Sequence, residues 1–281
     1  MTDSSDSDHP VSDSPVSEND ELEIARDGAI VRVRFNRPTH RNALSNAMVR
    51  QLVHTFEDAA IDDTVRAIAI SSVGDNFCSG ADWVATNTAG APRPRVGHLH
   101  RRTAFEAHRL VQLIQTIEVP VVCTVRGWAA GLGCHLALAA DFTIASKTAR
   151  FWEPFGRRGF TPDSGGTWMI PRLVGLARAR KMILLGREVS GDEAESWGLI
   201  HQAVADDALE AAGEALLAEL ANAPTIAFGL AKFCLHRSLE LPLDQAMELE
   251  ALALELSSRS GDFKEGLRAF QSRTDPNFEG R

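Results

Sequence analysis

Between about residue 22 and residue 204, short strand-like runs alternate with longer stretches whose apolar residues recur at helical spacing. That alternation restricts the possible fold more than any other feature of the chain. It favours an α/β layer arrangement. Val31, Val33 and Phe35 alternate with Arg32 and Arg34, which predicts a half-buried strand ahead of an Asn36-Arg37-Pro38 turn. Met48, Leu52 and Phe56 then fall on one helical face. Residues 67–71 read as a strand, 105–117 as one amphipathic helix, 120–125 as a buried strand and 142–145 as another. A further helix is expected from about 164–166. The sequence Ser190-Gly191-Asp192-Glu193 has the form of a capping box and predicts a short helix ending at Gly198, before a last strand over 199–204. From 205 to 271 the pattern changes to three helical stretches without a strand. Their stripe of Met247, Leu249, Leu252 and Leu254 predicts core or a subunit interface. The expected division is therefore a tail over 1–21, an α/β core over 22–204 and a C-terminal helical region over 205–281.

Composition enters where it excludes partners. The formal net charge of −9 argues against nucleic acid, which calls for a basic footprint. The acid is concentrated at the start: residues 1–21 carry Asp3, Asp6, Asp8, Asp13, Glu18, Asp20 and Glu21 without a Lys or Arg, and the remainder is near −2. Such a segment buries too little apolar area to offset its ordering entropy and is expected to be disordered. A near-neutral remainder leaves an anionic ligand open. No apolar run approaches the roughly 18 residues of a membrane span, and the N-terminus lacks signal-peptide regions, so no membrane partner and a cytoplasmic location are expected. Cys78, Cys123, Cys134 and Cys234 include no CxxC pair, which predicts reduced thiols and no zinc site.

Two segments place a backbone turn where a strand ends and a helix begins: Asn76-Phe77-Cys78-Ser79-Gly80-Ala81-Asp82-Trp83 and Arg126-Gly127-Trp128-Ala129-Ala130-Gly131-Leu132-Gly133-Cys134. Glycine lets backbone approach a ligand closely, and unpaired N–H groups at a helix start act as donors to anions. Two donors converging on one oxygen form an oxyanion hole, each worth roughly 3 kcal/mol in the transition state. Taken singly, each segment is equally readable as an ordinary tight turn. The spacing of Gly127, Gly131 and Gly133 does not match a dinucleotide fingerprint, and no redox cofactor is implied.

The order Asn36-Arg37-Pro38, Arg41-Asn42-Ala43-Leu44, Phe77 to Asp82, Gly127 to Cys134, Asp141 and Pro162 to Thr167 resembles the crotonase (enoyl-CoA hydratase/isomerase) superfamily, from about residue 22 through Gly261-Asp262-Phe263-Lys264-Glu265-Gly266 and Ala269-Phe270. The resemblance implies a crotonase (ClpP-like) spiral of repeated ββα units with a C-terminal helical trimerisation region, and a homotrimer or hexamer. It implies an acyl-CoA thioester substrate, with coenzyme A part of that substrate and no separate cofactor. By the same resemblance, the oxyanion donors are the backbone amides of Ala81 and Leu132. Contacts to coenzyme A come from His40, Arg41 and Ala43 and from Ala81, Asp82, Trp83 and Val84, while Phe270 and Arg273 reach a neighbour's nucleotide. For Arg41 a solvated surface charge is the plain alternative.

The pattern departs from the hydratases where water would be activated. Their two glutamates are replaced by His135 and Phe155, and phenylalanine carries no proton. Glu153 lies two residues away and reads as a surface group. Asp163, within Gly159-Phe160-Thr161-Pro162-Asp163-Ser164-Gly165-Gly166-Thr167, stands where some family isomerases carry a catalytic Asp; as a bare pattern, Pro-Asp-Ser equally suits a helix N-cap. Phe155 and Phe160 would desolvate that carboxylate. His135 reads either as an assisting base or as a hydrogen-bonded structural histidine. The cluster Arg93, Arg95, His98, His100, Arg101 and Arg102 reads as a solvated loop or as an acyl or phosphate contact.

Four activities fit. An enoyl-CoA isomerase using Asp163 leads, with an Asp-nucleophile hydrolase or dehalogenase second. A non-catalytic acyl-CoA binder and an atypical hydratase remain beside them.

Overall fold

The computed structural model describes residues 21–82 and 95–281. The acidic tail up to residue 20, and Trp83, Val84 and Arg93, lie outside the described residues.

Six strands form the main sheet in the order β1-β2-β3-β4-β6-β9: β1 Leu22–Asp27, β2 Ile30–Phe35, β3 Ala67–Ser72, β4 Val121–Val125, β6 Phe142–Ser146 and β9 Gln202–Val204. β1 and β2 make an antiparallel hairpin, and every later pairing is parallel. β2 pairs Val33 with Ile70 of β3, which continues the buried row begun by its alternating apolar residues. β3 and β4 are covered on both faces, as parallel strands require, and so read as continuous apolar runs.

A second sheet, in the order β5-β7-β8, is built from Trp128–Ala130, Arg150–Trp152 and Val189–Ser190. An isolated parallel bridge from Cys78 to Ala129 extends its pairing toward the segment after β3. The chain therefore repeats one unit, two strands and then a helix, with the second strand of the later units short and placed in the second sheet. The units β1-β2-α1, β4-β5-α4 and β6-β7-α5 are the turns of the expected spiral, with helices α1 Asn46–Ile61, α4 Leu132–Ala139 and α5 Gly166–Ile183.

Local chemistry accounts for the helix starts. Ser45 accepts from the Met48 amide at 3.2 Å, and α1 buries Met48, Val49, Leu52, Val53 and Phe56. Ser190 accepts from the Glu193 amide as the capping box predicts, and α6 Gly191–Trp197 ends at Gly198. The single helix expected over 105–117 is instead two, α2 His98–Phe105 and α3 Ala107–Thr116, broken at Glu106, whose φ of −113° and ψ of −98° are not helical.

The C-terminal region holds four α-helices rather than three: α7 Leu209–Ala221, α8 Thr225–Ser238, α9 Leu243–Ser257 and α10 Gly261–Ser272. α7 lies on the main sheet, where Leu217 and Leu220 close over Ala67, Ala69 and Val122. Met247, Leu252 and Leu254 on α9 are exposed in the single chain, which rules out the core reading of that stripe. All four cysteines are buried and unbridged. No described helix is long and apolar enough to cross a membrane.

Candidate active site

The segments of interest leave the carboxyl ends of three neighbouring parallel strands: 73–82 follows β3, 126–131 follows β4, and 147–165 follows β6. Ligands of open α/β sheets bind at such ends. The first two segments are laced together. Phe77 N donates to Arg126 O at 2.7 Å, Cys78 N to Trp128 O at 2.9 Å and Ala130 N to Cys78 O at 2.9 Å. Their contact is close enough to demand glycine. A Cβ on Gly133 would lie 2.4 Å from Cys78 O, and one on Gly80, whose φ is +95°, would lie 2.8 Å from Ala130 O and 3.4 Å from Leu132 N.

This packing brings the two expected donors to one place. Leu44 N donates to Gly80 O at 2.8 Å and Asp82 N to Leu44 O at 3.0 Å, which straddles Ala81 and leaves its amide without an acceptor among the described residues. Leu132 is the first residue of α4, so its N–H is one of the helix's orphan donors, and it too has no acceptor among the described residues. Both residues line one cleft together with Leu44, Val49, Leu99, Phe155, Phe160 and Asp163.

Among the described residues, three carboxylates line that cleft: Asp82, Glu106 and Asp163. Two are committed elsewhere. Asp82 takes Arg37 at 2.7 Å, and Glu106 takes Arg50 at 3.1 Å and Arg102 at 3.4 Å. Asp163 has no ion pair or side-chain hydrogen bond among the described residues. The N-cap alternative fails, because α5 is capped by Gly165 without a side-chain bond, and only the backbone oxygen of Asp163 is engaged, by Gly166 N at 3.1 Å.

His135 and Glu153 form a pair that the sequence did not suggest. Nε2 of His135 lies 3.0 Å from Oε2 of Glu153, and both side chains are 0% exposed. The surface reading of Glu153 is therefore overturned: Glu153 directly follows β7 and turns inward to a partner 18 residues earlier in the chain. His135 lies behind the cleft wall, stacked on Phe155 with ring centroids 5.7 Å apart, and Phe155 in turn meets Phe160 edge-on at 5.3 Å. The direct-base reading of His135 thus has no contact with the cleft to work through. Removing Glu153 leaves the buried His135 Nε2 without its partner; Glu153→Ala is expected to lower the unfolding free energy by roughly 1–3 kcal/mol in urea titration, and Glu153→Gln by clearly less.

Burial disfavours the thiolate form of Cys78 and Cys134. Burial pushes the Cys78 thiol up to about 12, with the Gly80 amide opposing, and burial followed by Glu153 holds Cys134 well above the usual thiol range.

Of the remaining expected contacts, His40 and Arg41 are exposed beside the cleft, their carbonyls accepting from Ser79 Oγ at 3.4 Å and Ser79 N at 3.0 Å. Asn42, fully buried, anchors this loop through Val73 O at 3.0 Å and Asn76 O at 2.7 Å. Ala43 is half-buried, and its carbonyl accepts from Arg37 at 3.0 Å. Phe270, 84% exposed, and Arg273 stand on α10 and its cap, and neither lines the cleft. From the basic cluster, Arg102 lines the cleft. Among the described residues, no cluster of metal-ligating side chains occurs.

A family model described as enoyl-CoA hydratase/isomerase matches residues 25–281. A 1,2-epoxyphenylacetyl-CoA isomerase of Escherichia coli is 35% identical over 253 residues, covering 90% of this chain and 95% of that protein. A 2,3-dehydroadipyl-CoA hydratase of the same organism is 31% identical over 261 residues, covering 93% and 99%. The crystal structure of enoyl-CoA hydratase from Bacillus anthracis superposes with a TM-score of 0.86 at 26% identity, covering 93% of this chain and all of that one. Fold and sequence agree on a crotonase-type α/β protein of coenzyme A thioester metabolism. The chain belongs to the enoyl-CoA hydratase/isomerase family.

Proposed function

We propose that this protein is an enoyl-CoA isomerase in which Asp163 moves a proton along the acyl chain. The observation that carries the reading is the uncommitted state of Asp163 in a cleft whose other described carboxylates are ion-paired. With the thioester oxygen held by the amides of Ala81 and Leu132, removal of a C2 proton by Asp163 gives an enolate whose charge rests on that oxygen. The electrons of the broken C2–H bond form the C2–C3 double bond, the C3–C4 double bond opens, and C4 takes the proton back from Asp163. One group serves as base and then acid, so the two glutamates that His135 and Phe155 replace are not needed.

Similar proteins carry both isomerase and hydratase names, so the choice of isomerisation over water addition rests on the cleft. Hydration would need a carboxylate beside the cleft at 135 or 155; Glu153 is fully buried and paired with His135 instead. Coenzyme A would lie along 40–43 and 81–84. The exposed Leu235, Leu239, Leu243, Leu254 and Phe263 would be covered in a trimer or hexamer, with Phe270 and Arg273 offered to a neighbouring subunit's nucleotide.

A 3-enoyl-CoA incubated in heavy water tests the reaction. Isomerisation yields the 2-enoyl thioester, read by NMR, with deuterium at C4 only to the extent that the proton held by Asp163 exchanges with solvent before its return. Release of free acid without the 2-enoyl thioester would support an Asp nucleophile instead, and binding without turnover of any thioester would support a non-catalytic binder.

A further inference from the structure

Four buried side-chain polar atoms among the described residues lack a hydrogen-bond partner: Arg37 Nε, His135 Nδ1, Glu153 Oε1 and Ser164 Oγ. Arg37 Nε still sits 2.8 Å from Glu21, and His135 and Glu153 satisfy each other through their other atoms. Ser164 has no such compensation, and of these four residues it alone lines the cleft. It is 2% exposed and follows the free Asp163 directly.

Ser164 is unfavourable a second time. Its φ is +49°, a left-handed conformation that a side chain with a Cβ adopts at a cost, and one most often taken by Gly or Asn. A serine in such a turn is usually explained by a hydroxyl bonded to nearby backbone, and this hydroxyl makes no such bond. Capping of α5 does not explain it either, because that helix has no side-chain cap. A strained residue with an unsatisfied hydroxyl, next to the acid in a cleft that Leu44, Val49, Leu132, Phe155 and Phe160 also line, points to a ligand.

We propose that Ser164 is a specificity-determining residue that hydrogen-bonds an oxygen on the acyl group, so that the substrates of this protein are oxygen-bearing acyl-CoA esters: a hydroxyl, epoxide or ring oxygen close to the carbons served by Asp163. This deepens the isomerase reading and rests on it for the placement of the acyl chain. A plain hydrocarbon chain leaves the buried hydroxyl unpaired in the complex. A site built around a polar contact discriminates against the analogue that lacks it more strongly than an apolar pocket rejects an extra methylene.

Calorimetry with unreactive ligands tests the contact apart from turnover. Wild type, Ser164→Ala and Ser164→Gly are titrated with hexanoyl-CoA, 3-hydroxyhexanoyl-CoA and 4-hydroxyhexanoyl-CoA. Ser164→Gly removes the hydroxyl and relieves the left-handed strain, so it reads the contact even if the alanine variant folds poorly. Wild type is expected to prefer a hydroxylated ester by about tenfold or more, and both variants to bring that ratio within about twofold. A general loss of packing would weaken all three ligands alike and leave the ratio unchanged. An unchanged ratio, or a wild type without preference, overturns the assignment. Absence of any 2-enoyl-CoA product from a 3-enoyl-CoA would overturn the isomerase reading while this ratio still judged Ser164.

Discussion

Asp163→Asn is expected to lower kcat for enoyl-CoA isomerisation by about 10²–10⁴-fold, the range that a positioned general acid–base supplies, while the dissociation constant for hexanoyl-CoA changes only a few-fold. The asparagine side chain matches aspartate in shape and can still meet a polar neighbour, but it neither accepts nor returns a proton at C2 or C4. Because the Asp163 carboxylate has no partner among the described residues and does not cap α5, the substitution breaks no described hydrogen bond or ion pair, and the loss should appear in kcat rather than in folding. Steady-state rates for a 3-enoyl-CoA, together with proton exchange into the recovered substrate, measure both halves of the reaction. Asp163→Glu is a second check: one added methylene displaces the carboxylate by on the order of 1 Å, and a misplacement of that size costs about 10²-fold in rate. If Asp163→Asn retained a rate within a factor of two, the proton would have to travel by another group. If crotonyl-CoA were hydrated rapidly by wild type and variant alike, the protein would be a hydratase of unusual mechanism.

How much of this was legible in the sequence depended on whether a feature was local. The strand Val31 to Phe35, the face of Met48, Leu52 and Phe56, and the capping box at Ser190 are set by residues within one or two turns of each other, and the structure holds them where the pattern put them. Three-residue β7 and two-residue β8 are too short to carry a period, and their pairing comes from β5 and from each other. The break at Glu106 has no Gly or Pro to announce it. It joins a helix with no buried residue, α2, to one that buries Leu110, Val111, Leu113 and Ile114.

The site divides the same way. The two glycine turns are recognisable because close backbone approach needs glycine at fixed positions. The inward turn of Glu153 is not, because its partner His135 belongs to a different element, 18 residues earlier. The release of Asp163 from capping depended on a choice between two local conformations. Gly165 at φ +84° took the N-cap position and left the carboxylate to the cleft.

Gly80→Ala should lower kcat by about 10²–10³-fold, as loss of one oxyanion donor does, with weaker effects on the binding of hexanoyl-CoA. The reason is steric. A methyl group at residue 80 would sit 2.8 Å from Ala130 O and 3.4 Å from Leu132 N, both of them backbone, and neither can rotate away as a flexible side chain would. The 130–132 turn must shift, or residue 80 must leave its φ of +95° and carry the next amide with it. Either movement changes the distance between the Ala81 and Leu132 donors, and a hydrogen bond that fits the ground-state carbonyl loosely fits the enolate worse. Strain alone would also lower stability, so Gly28→Ala is the matched control. Gly28 has a φ of +56° with open space where its Cβ would go, and it sits in the hairpin between β1 and β2, away from the cleft. The control should lose stability by about 1 kcal/mol or somewhat more and keep kcat within about twofold, whereas Gly80→Ala loses both. Equal kcat values for the two variants would mean that the amides of residues 81 and 132 do not share the oxygen of the bound thioester.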